Sequence, residues 1–295
     1  KSIASGLLLA ALGAIAFSGK AIIVKLAYRH GVDAVTLIMY RMLFALPVFV
    51  VMAWWSSRGK PALTRHDWWH VLGLGFTGYY LASILDFAGL VYISASLERL
   101  ILYLYPTLVL LLGLVLYQRH INHRQALGMA ISYAGVLLVF AHEVSFSGSG
   151  VVTGSAFVLA SALSYALYLM FSGEVVQRIG SMRLVGWASS VACVCCLAQF
   201  ALLRPLDTLI PSEVWWLGLL NATACTVAPV LMVMLAIERI GAALTSQVGM
   251  VGPMATLTLG VLVLGEPVNA WIGMGTVLVL GGVYLASQTG EKTWT

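Results

Sequence analysis

Four charged side chains stand inside long apolar stretches of this sequence: Lys20, Asp86, Glu98 and Arg99. A charge within a membrane-spanning helix is costly, so it usually faces a partner or a water-filled cavity. Counted at about 1.5 Å per residue from the helix ends on the non-cytoplasmic side, all four lie in the outer third of the membrane. The sequence therefore predicts a neutral ionic cluster. It either binds or gates a solute, or it is a structural ion-pair network with Lys20 extending toward the headgroups.

Tyrosines and a few polar side chains recur at helical spacing in the same stretches. Tyr79 shares a helix face with Asp86, and Tyr103 shares one with Arg99. A tyrosine that faces a cavity offers a flat apolar wall and one hydroxyl, whereas a tyrosine packed between helices would be purely structural. The candidate cavity-lining residues are Tyr79, Asp86, Tyr103, Tyr165, Tyr168 and Gln247.

Motifs of soluble enzyme chemistry are missing from the sequence. There is no phosphate-binding loop, no His-Glu-x-x-His and no Gly-x-Ser-x-Gly. The six histidines lie in or next to connections, and the four cysteines are interpreted as small apolar packing residues. We therefore predict no catalytic residue, no metal site and no cofactor. If the chain moves a solute, the movement would follow a solute gradient or couple to an ion, and Asp86 or Glu98 could carry a proton.

The composition indicates a protein whose solvent is the lipid bilayer. Hydrophobic residues make up 61% of the chain, charged residues only 9%, and the mean hydropathy is +0.96. A soluble domain carries roughly 25% charged residues. The formal net charge of +5 comes without a basic cluster, so we predict no nucleic-acid partner.

Ten stretches are long and apolar enough to span a bilayer, which takes roughly 20 residues. They are 3–27, 33–54, 69–92, 94–117, 124–142, 152–176, 182–204, 214–237, 241–264 and 269–288. Several junctions are only a few residues long, so consecutive helices are predicted to be antiparallel neighbours. The longest connection on the outer side, residues 142–152, is rich in serine and glycine and is interpreted as a flexible linker.

Lysine and arginine are concentrated in one set of connections. This set, the basic face, contains Lys1, Arg58, Lys60, Arg65, Arg119, Arg124, Arg178, Arg183, Arg239 and Lys292. The opposite set, the acidic face, contains Asp33, Glu143, Asp207, Glu213 and Glu266, with Arg29 and Arg204 at its edges. Cytoplasmic loops carry the excess of positive charge. We predict an inner-membrane protein with both termini in the cytoplasm.

The second half of the chain is a copy of the first. Residues 93–138 align without a gap on residues 240–285, shifted by 147 positions, with 12 identities in 46 positions. The identities include Pro106/Pro253, Gly113/Gly260, Asn122/Asn269, Gly128/Gly275 and Gly135/Gly282. Five is an odd number of helices, so the two copies must enter the bilayer in opposite senses. The predicted fold is all-α and integral to the membrane, with ten transmembrane helices in two inverted five-helix repeats, residues 1–147 and 148–295.

Prolines and glycines inside the spans predict local geometry. Pro106, Pro229 and Pro253 each remove a backbone donor, and they are interpreted as helix kinks that shape a cavity. The glycines of spans 5 and 10 permit close helix contact. They would form a back wall of the bundle or a contact between subunits, and we expect a monomer or a weak dimer.

The turn Leu104-Tyr105-Pro106, the glycine-spaced helix after it and the closing Leu264-Gly265-Glu266-Pro267 resemble the EamA branch of the drug/metabolite transporter superfamily. Together with the ten spans, the resemblance covers nearly the whole chain and is strongest to YddG-type exporters of aromatic amino acids. It implies a basket-like, outward-opening bundle with helices 1, 3, 4, 6, 8 and 9 around a central cavity. The first copy departs from this pattern, with Gln118-Arg119-His120 in place of Gly265-Glu266-Pro267. Glu266 is therefore interpreted as a structural residue at a helix end.

These observations predict a secondary transporter that exports small amphipathic metabolites by alternating access, since inverted repeats can rock around a site near the midplane. The predicted substrates are amino acids, including aromatic ones, and export rather than uptake follows from the resemblance. A broader drug or cation exporter is the alternative within the class. An integral-membrane enzyme acting on lipid-linked substrates is the alternative of another class, although the long loops that would carry its catalytic groups are lacking.

Overall fold

A computed structural model describes residues 3–118, 121–148, 150–204, 212–240, 245, 248–249, 251–267 and 269–287. Within these residues all regular structure is helical. Nine described helices are long and apolar enough to cross a bilayer, and a shorter apolar helix covers Val251–Leu264. The prediction of an all-helical membrane protein is confirmed.

The helices follow the order of the predicted spans, with slightly different ends. They are α1 (Ile3–Tyr28), α2 (Ala34–Ser57), α3 (Arg65–Leu90), α4 (Ala95–Tyr117), α5 (His123–Ser147), α6 (Gly150–Ile179), α7 (Ser181–Leu203), α8 (Ser212–Ala222, Thr223–Val227 and Ala228–Ile240), α9 (Val251–Leu264) and α10 (Ala270–Ser287). Most of the residues between α8 and α9 lie outside the described part of the chain.

The expected flexible linker over residues 142–152 is wrong, because most of it is helical. Helix α5 runs on to Ser147 and α6 begins at Gly150. The hydroxyl of Ser145 donates to the carbonyl of Ala141 at 2.8 Å, so this serine bonds within the helix rather than breaking it. Gly148, at φ 78°, ends α5 with a backbone conformation that glycine adopts at no steric cost. Serine and glycine content alone overestimated the length of the connection.

Backbone details recur at the repeat spacing of 147 residues. The side chain of Asn122 accepts from the amide of Gln125 at 2.8 Å, and that of Asn269 accepts from the amide of Ile272 at 2.8 Å. Each asparagine thereby caps the N-terminus of its helix, α5 or α10. Both copies therefore begin their fifth helix in the same way.

A left-handed residue ends the fourth helix of each copy. Gln118 after α4 has φ 53°, and its repeat partner Gly265 after α9 has φ 71°. Among the described residues, Gln118 is the one non-glycine residue with positive φ, a conformation uncommon for such residues. The copy has thus kept the turn even where the glycine has been replaced.

The third helix of each copy contains a π-helical turn at the same repeat position. The turn covers Phe76–Leu81 in α3 and Thr223–Val227 in α8. Such turns are rare and often mark functional positions. A third π-turn, Gly260–Leu264 in α9, corresponds to an α-helical stretch in α4. The copies therefore agree in their third helices and differ in their fourth.

Helix contacts exchange between the copies. Helix α1 packs on α8, and α6 packs on α3, which is the same pair with the copies interchanged. Helix α2 packs on its own counterpart α7, and α5 packs on α10. The contact pairs of the described helices therefore recur when the two copies are interchanged.

Helices α5 and α10 pack closely against each other and form one wall of the bundle. A Cβ atom at Gly128 would lie 2.6 Å from the carbonyl oxygen of Gly282, and one at Gly135 would lie 2.8 Å from that of Gly275. Side chains at these positions would separate the two backbones. The predicted glycine faces therefore meet each other within one chain.

Candidate functional site

Three of the four charges predicted to form a cluster meet between α1, α3 and α4. The Nζ atom of Lys20 lies 2.5 Å from Oδ2 of Asp86 and 3.3 Å from Oε1 of Glu98. Asp86 is 3% exposed and Glu98 is 0% exposed. One ammonium group thus serves two buried carboxylates, and we call these residues the ionic cluster.

Local helix geometry positions the two acids. Ser94 accepts from the amide of Leu97 at 3.0 Å and so caps α4, which places Glu98 in the first turn of that helix. Asp86 lies in the α-helical segment that follows the π-turn of α3. Both carboxylates therefore lie toward the acidic face, as the sequence predicted.

The carboxylates have acceptor capacity that the described residues do not use. Oδ1 of Asp86 and both oxygens of Glu98 accept no hydrogen bond from the part of the chain that the structure describes. A buried carboxylate without donors is costly. The ionic cluster can therefore accept a further donor, such as a proton or the ammonium group of a solute.

Arg41 is a buried charge near this site that the sequence analysis did not single out. Its side chain is 7% exposed, and its Nε atom donates to Oγ1 of Thr226 at 2.8 Å. The guanidinium carbon lies 5.2 Å from the ring centroid of Phe87, the residue after Asp86. The sequence could have indicated this residue, because Arg41 is a charged residue within the second apolar stretch, 33–54.

Arg99 does not join the ion pairs of the other three charges. Its guanidinium carbon lies 5.7 Å from the ring centroid of Tyr103 on the same helix. One of its terminal nitrogens lies against Gly252 of α9, and the hydroxyl of Tyr103 donates to the carbonyl of Gly249. The predicted four-residue cluster is therefore divided, because the adjacent residues Glu98 and Arg99 face different neighbours.

The tyrosines form a continuous row across α3, α6 and α4. The hydroxyl groups of Tyr79 and Tyr168 lie 3.1 Å apart, and their ring centroids are 5.1 Å apart. The row continues to Tyr165, 5.7 Å from Tyr168, and to Tyr105, 5.4 Å from Tyr165. Tyr103 follows at 6.3 Å from Tyr105. The structure brings the four predicted tyrosines together and adds Tyr105, which its place next to Pro106 could have indicated.

Serines of α6 bond to the backbone of α3. Ser164 donates to the carbonyl of Thr77 at 2.8 Å, and Ser161 donates to the carbonyl of Ala82 at 2.7 Å. These carbonyls lie within and directly after the π-turn of α3, where the regular hydrogen-bond ladder is interrupted. The serines therefore hold α3 and α6 together behind the tyrosine row.

The predicted kink prolines lie at different kinds of position. Helix α4 is interrupted at Tyr103 and Leu104, and Pro106 occupies the first turn of the following segment Tyr105–Tyr117. Pro229 follows the π-turn of α8, and Pro253 lies in the first described turn of α9. Gln247, predicted to line the cavity, lies outside the described residues.

Two further carboxylates hold the N-terminus of α4. Glu266 accepts from the amide of Ala95 at 2.9 Å and from the hydroxyl of Ser96 at 2.7 Å. Glu143 accepts from the amide of Ser94 at 2.7 Å. Carboxylates at a helix N-terminus are stabilised by its free amides and its dipole. Glu266 thus joins the end of α9 to the start of α4.

Two cavities lie elsewhere in the described bundle. A cavity of about 370 Å³ lies between α3 and α6 and is lined by Trp69, His70, Gly73, Leu74, Thr77, Leu167 and Phe171. One of about 50 Å³ is lined by residues of α4, α9, α10 and the connection between the last two, including Ser96 and Pro267. Neither is lined by the ionic cluster. No group of three metal-ligating side chains occurs among the described residues.

Comparison with known proteins identifies the two halves of the sequence. A sequence model of the EamA-like transporter family matches residues 4–141 and again residues 152–288. The uncharacterized transporter YcbK of Bacillus subtilis is 27% identical over 98% of this chain and 96% of its own. The probable amino-acid metabolite efflux pump of Salmonella typhimurium is 22% identical over 90% of this chain and 88% of its own.

A solved crystal structure shares the fold. It superimposes with a TM-score of 0.67 over 96% of this chain and 98% of its own, at 16% identity. The finer resemblance to YddG-type exporters stays a prediction.

Proposed function

Because this chain belongs to the EamA-like transporter family, we propose that it exports small amphipathic metabolites, above all amino acids including aromatic ones, by alternating access. It is a multi-pass membrane transporter and not an enzyme, and its partners are a small-molecule substrate and the lipid bilayer. The substrate, the direction and the transport cycle are the proposal.

The observation that carries the proposal is the ionic cluster with its unused acceptors, which shares helices α3 and α4 with the tyrosine row. The ionic cluster consists of residues from α1, α3 and α4, and the tyrosine row consists of residues from α3, α4 and α6. An amino acid carries an ammonium group that suits the free carboxylate oxygens of Asp86 and Glu98. Aromatic or aliphatic side chains suit tyrosine rings, which present flat apolar faces.

Alternating access is supported by the repeat. The contact pairs α1–α8 and α3–α6 exchange under it, and an odd number of helices per copy makes the copies inverted. Such units can rock against each other around a site between them. We place the boundary between the two repeats at residues 147/148. The protein would lie in the inner membrane, with both termini and the basic face on the cytoplasmic side.

The substrate class is supported by one relative. The Salmonella protein is described as a probable amino-acid metabolite efflux pump. A broad cation exporter is the second candidate, since buried carboxylates near aromatic rings would also suit organic cations.

The test is efflux from proteoliposomes loaded with labelled phenylalanine, leucine or an organic cation. The expected result is amino-acid efflux that falls about 10-fold or more in Asp86→Asn, since the variant loses a charge-assisted contact. Tyr79→Ala and Tyr103→Ala are expected to reduce efflux of phenylalanine without reducing expression. Flux of the cation alone would overturn the amino-acid assignment in favour of the second candidate.

Matched controls remove the same groups elsewhere. Glu213→Gln changes an exposed acid, and Tyr284→Ala removes a tyrosine that is 47% exposed at the surface of the bundle. Both are expected to transport normally. Repeating the assay with a proton gradient tests coupling, and unchanged flux would exclude Asp86 and Glu98 as proton carriers.

A further inference from the structure

Arg99 differs from the other arginines in the interior of the described bundle. Arg41 donates to Thr226, and Arg183 donates to Ser57 at 3.0 Å and to the carbonyl of Pro61 at 2.9 Å. The buried Nε atom of Arg99, in contrast, has no hydrogen-bond partner among the described residues. No described carboxylate forms an ion pair with it either.

The described groups that lie beside the Arg99 guanidinium at Gly252 are small and neutral. A Cβ atom at Gly252 would lie 2.8 Å from its Nη2 atom, 3.5 Å from the hydroxyl of Tyr103 and 3.6 Å from the hydroxyl of Ser18. The Ser18 hydroxyl is bonded to the carbonyl of Gly252 at 2.7 Å. The guanidinium therefore packs directly against the backbone of Gly252, between α1, α4 and α9.

Since no described carboxylate forms an ion pair with this cation, a substrate carboxylate can supply the counter-charge. Guanidinium groups bind carboxylates with two parallel hydrogen bonds, and an unpaired charge inside a membrane protein is costly. The neighbouring residue Glu98 belongs to the ionic cluster, which has free acceptors for an ammonium group. Two adjacent residues of α4 thus offer a site for an anion, at Arg99, and part of a site for a cation, at Glu98.

We propose that Arg99 binds the carboxylate of the transported amino acid while the ionic cluster binds its ammonium group. This inference rests on the proposed function and makes it more specific, because a transporter with this site selects zwitterions over simple amines. Gly252 is a positioning residue, because the lack of a side chain there lets the Arg99 guanidinium approach α9.

The test compares efflux of phenylalanine with efflux of phenethylamine, which lacks only the carboxylate, in wild type, Arg99→Gln and Arg99→Lys. In Arg99→Gln the ratio of phenylalanine to phenethylamine flux is expected to fall about 10- to 100-fold, the loss of hydrogen bonds to a charged group. Arg99→Lys is expected to fall between wild type and Arg99→Gln. The ratio does not depend on how much protein folds.

Arg183→Gln is the matched control, because it removes another buried arginine, one near the basic face, and is expected to keep the wild-type ratio. An unchanged ratio in Arg99→Gln, with phenylalanine still transported, overturns the anion site and leaves the proposed function intact. If the wild type transports phenethylamine but no phenylalanine, the result overturns both the anion site and the proposed export of amino acids.

Discussion

The wall of α5 and α10 and the ionic cluster of α1, α3 and α4 are held together in opposite ways. In the wall, glycines of both copies meet at equivalent positions, and the contact is made by backbone atoms that are already hydrogen-bonded within their helices. In the ionic cluster, one ammonium group contacts two buried carboxylates that retain free acceptors. The wall is held by backbone packing, whereas the ionic cluster keeps acceptors that the described residues do not use.

The repeat shows the same division. The glycine contacts of the wall are present in both copies, whereas Glu98 and Arg99 are replaced by Thr245 and Ser246 in the second copy. Close packing had to be kept on both sides because a single added Cβ separates the helices. The charges occur in one copy only, which agrees with the proposal that a single substrate binds them. We therefore expect wall variants to change stability and cluster variants to change transport.

Lys20→Met is expected to have the largest effect. It leaves Asp86 and Glu98 buried without their contacting cation, which costs about 3–5 kcal/mol when one partner of a buried pair is removed. Thermal unfolding in detergent and phenylalanine efflux measure the two consequences. The double variant Lys20→Met/Asp86→Asn is expected to recover part of the stability but not the transport. Wild-type stability in the single variant would show that the ionic cluster is not under electrostatic strain.

Gly282→Ala tests the wall. The new Cβ would lie 2.4 Å from Oγ of Ser132 and 2.5 Å from the carbonyl oxygen of Gly128, and such overpacking costs about 1–3 kcal/mol. Gly281→Ala is the matched control, because no atom lies within 4 Å of its Cβ position. The control is expected to gain up to about 1 kcal/mol from helix propensity. Equal melting temperatures for the two variants would contradict the close contact.

Glu266→Ala tests whether a carboxylate can have a purely structural role, as the glycines of the wall do. It leaves the amide of Ala95 and the hydroxyl of Ser96 without an acceptor, at a cost of about 1–3 kcal/mol. Melting temperature is therefore expected to fall while the ratio of phenylalanine to phenethylamine flux stays at the wild-type value. A changed ratio would assign Glu266 to the substrate site rather than to the helix end.

Tyr79→Phe is expected to have the smallest effect. The variant loses the hydroxyl contact to Tyr168 but keeps the ring, so about 0.5–1.5 kcal/mol of stability is at stake. Phenylalanine efflux is expected to stay within about twofold of wild type, because the ring supplies the aromatic surface. A loss as large as that of Tyr79→Ala would make the hydroxyl itself part of the site.

Much of the fold could be predicted because the relevant signals are local or periodic. Apolar runs of about 20 residues predict spans. The identity of Asn122 and Asn269 is visible in the sequence, and the structure shows that both residues cap the fifth helix of their copy. The linker over residues 142–152 was predicted wrongly because serine also bonds within a helix, as Ser145 does.

The site could be predicted only in part. Charge in an apolar stretch singles out Lys20, Asp86 and Glu98 without any knowledge of the fold. Whether a given charge has a partner depends on residues far away in sequence, such as Thr226 for Arg41. For the same reason the sequence grouped Arg99 with charges that it does not contact.

The sequence by itself determined that this protein is a membrane bundle of two related halves with a few buried charges, because hydropathy, repeats and charge are properties of residues in order. Only the tertiary structure decided that one ammonium group contacts two carboxylates, that the glycine faces meet each other, and that Arg99 turns to Gly252. These are distances between helices, and they depend on packing that brings together residues far apart in the chain.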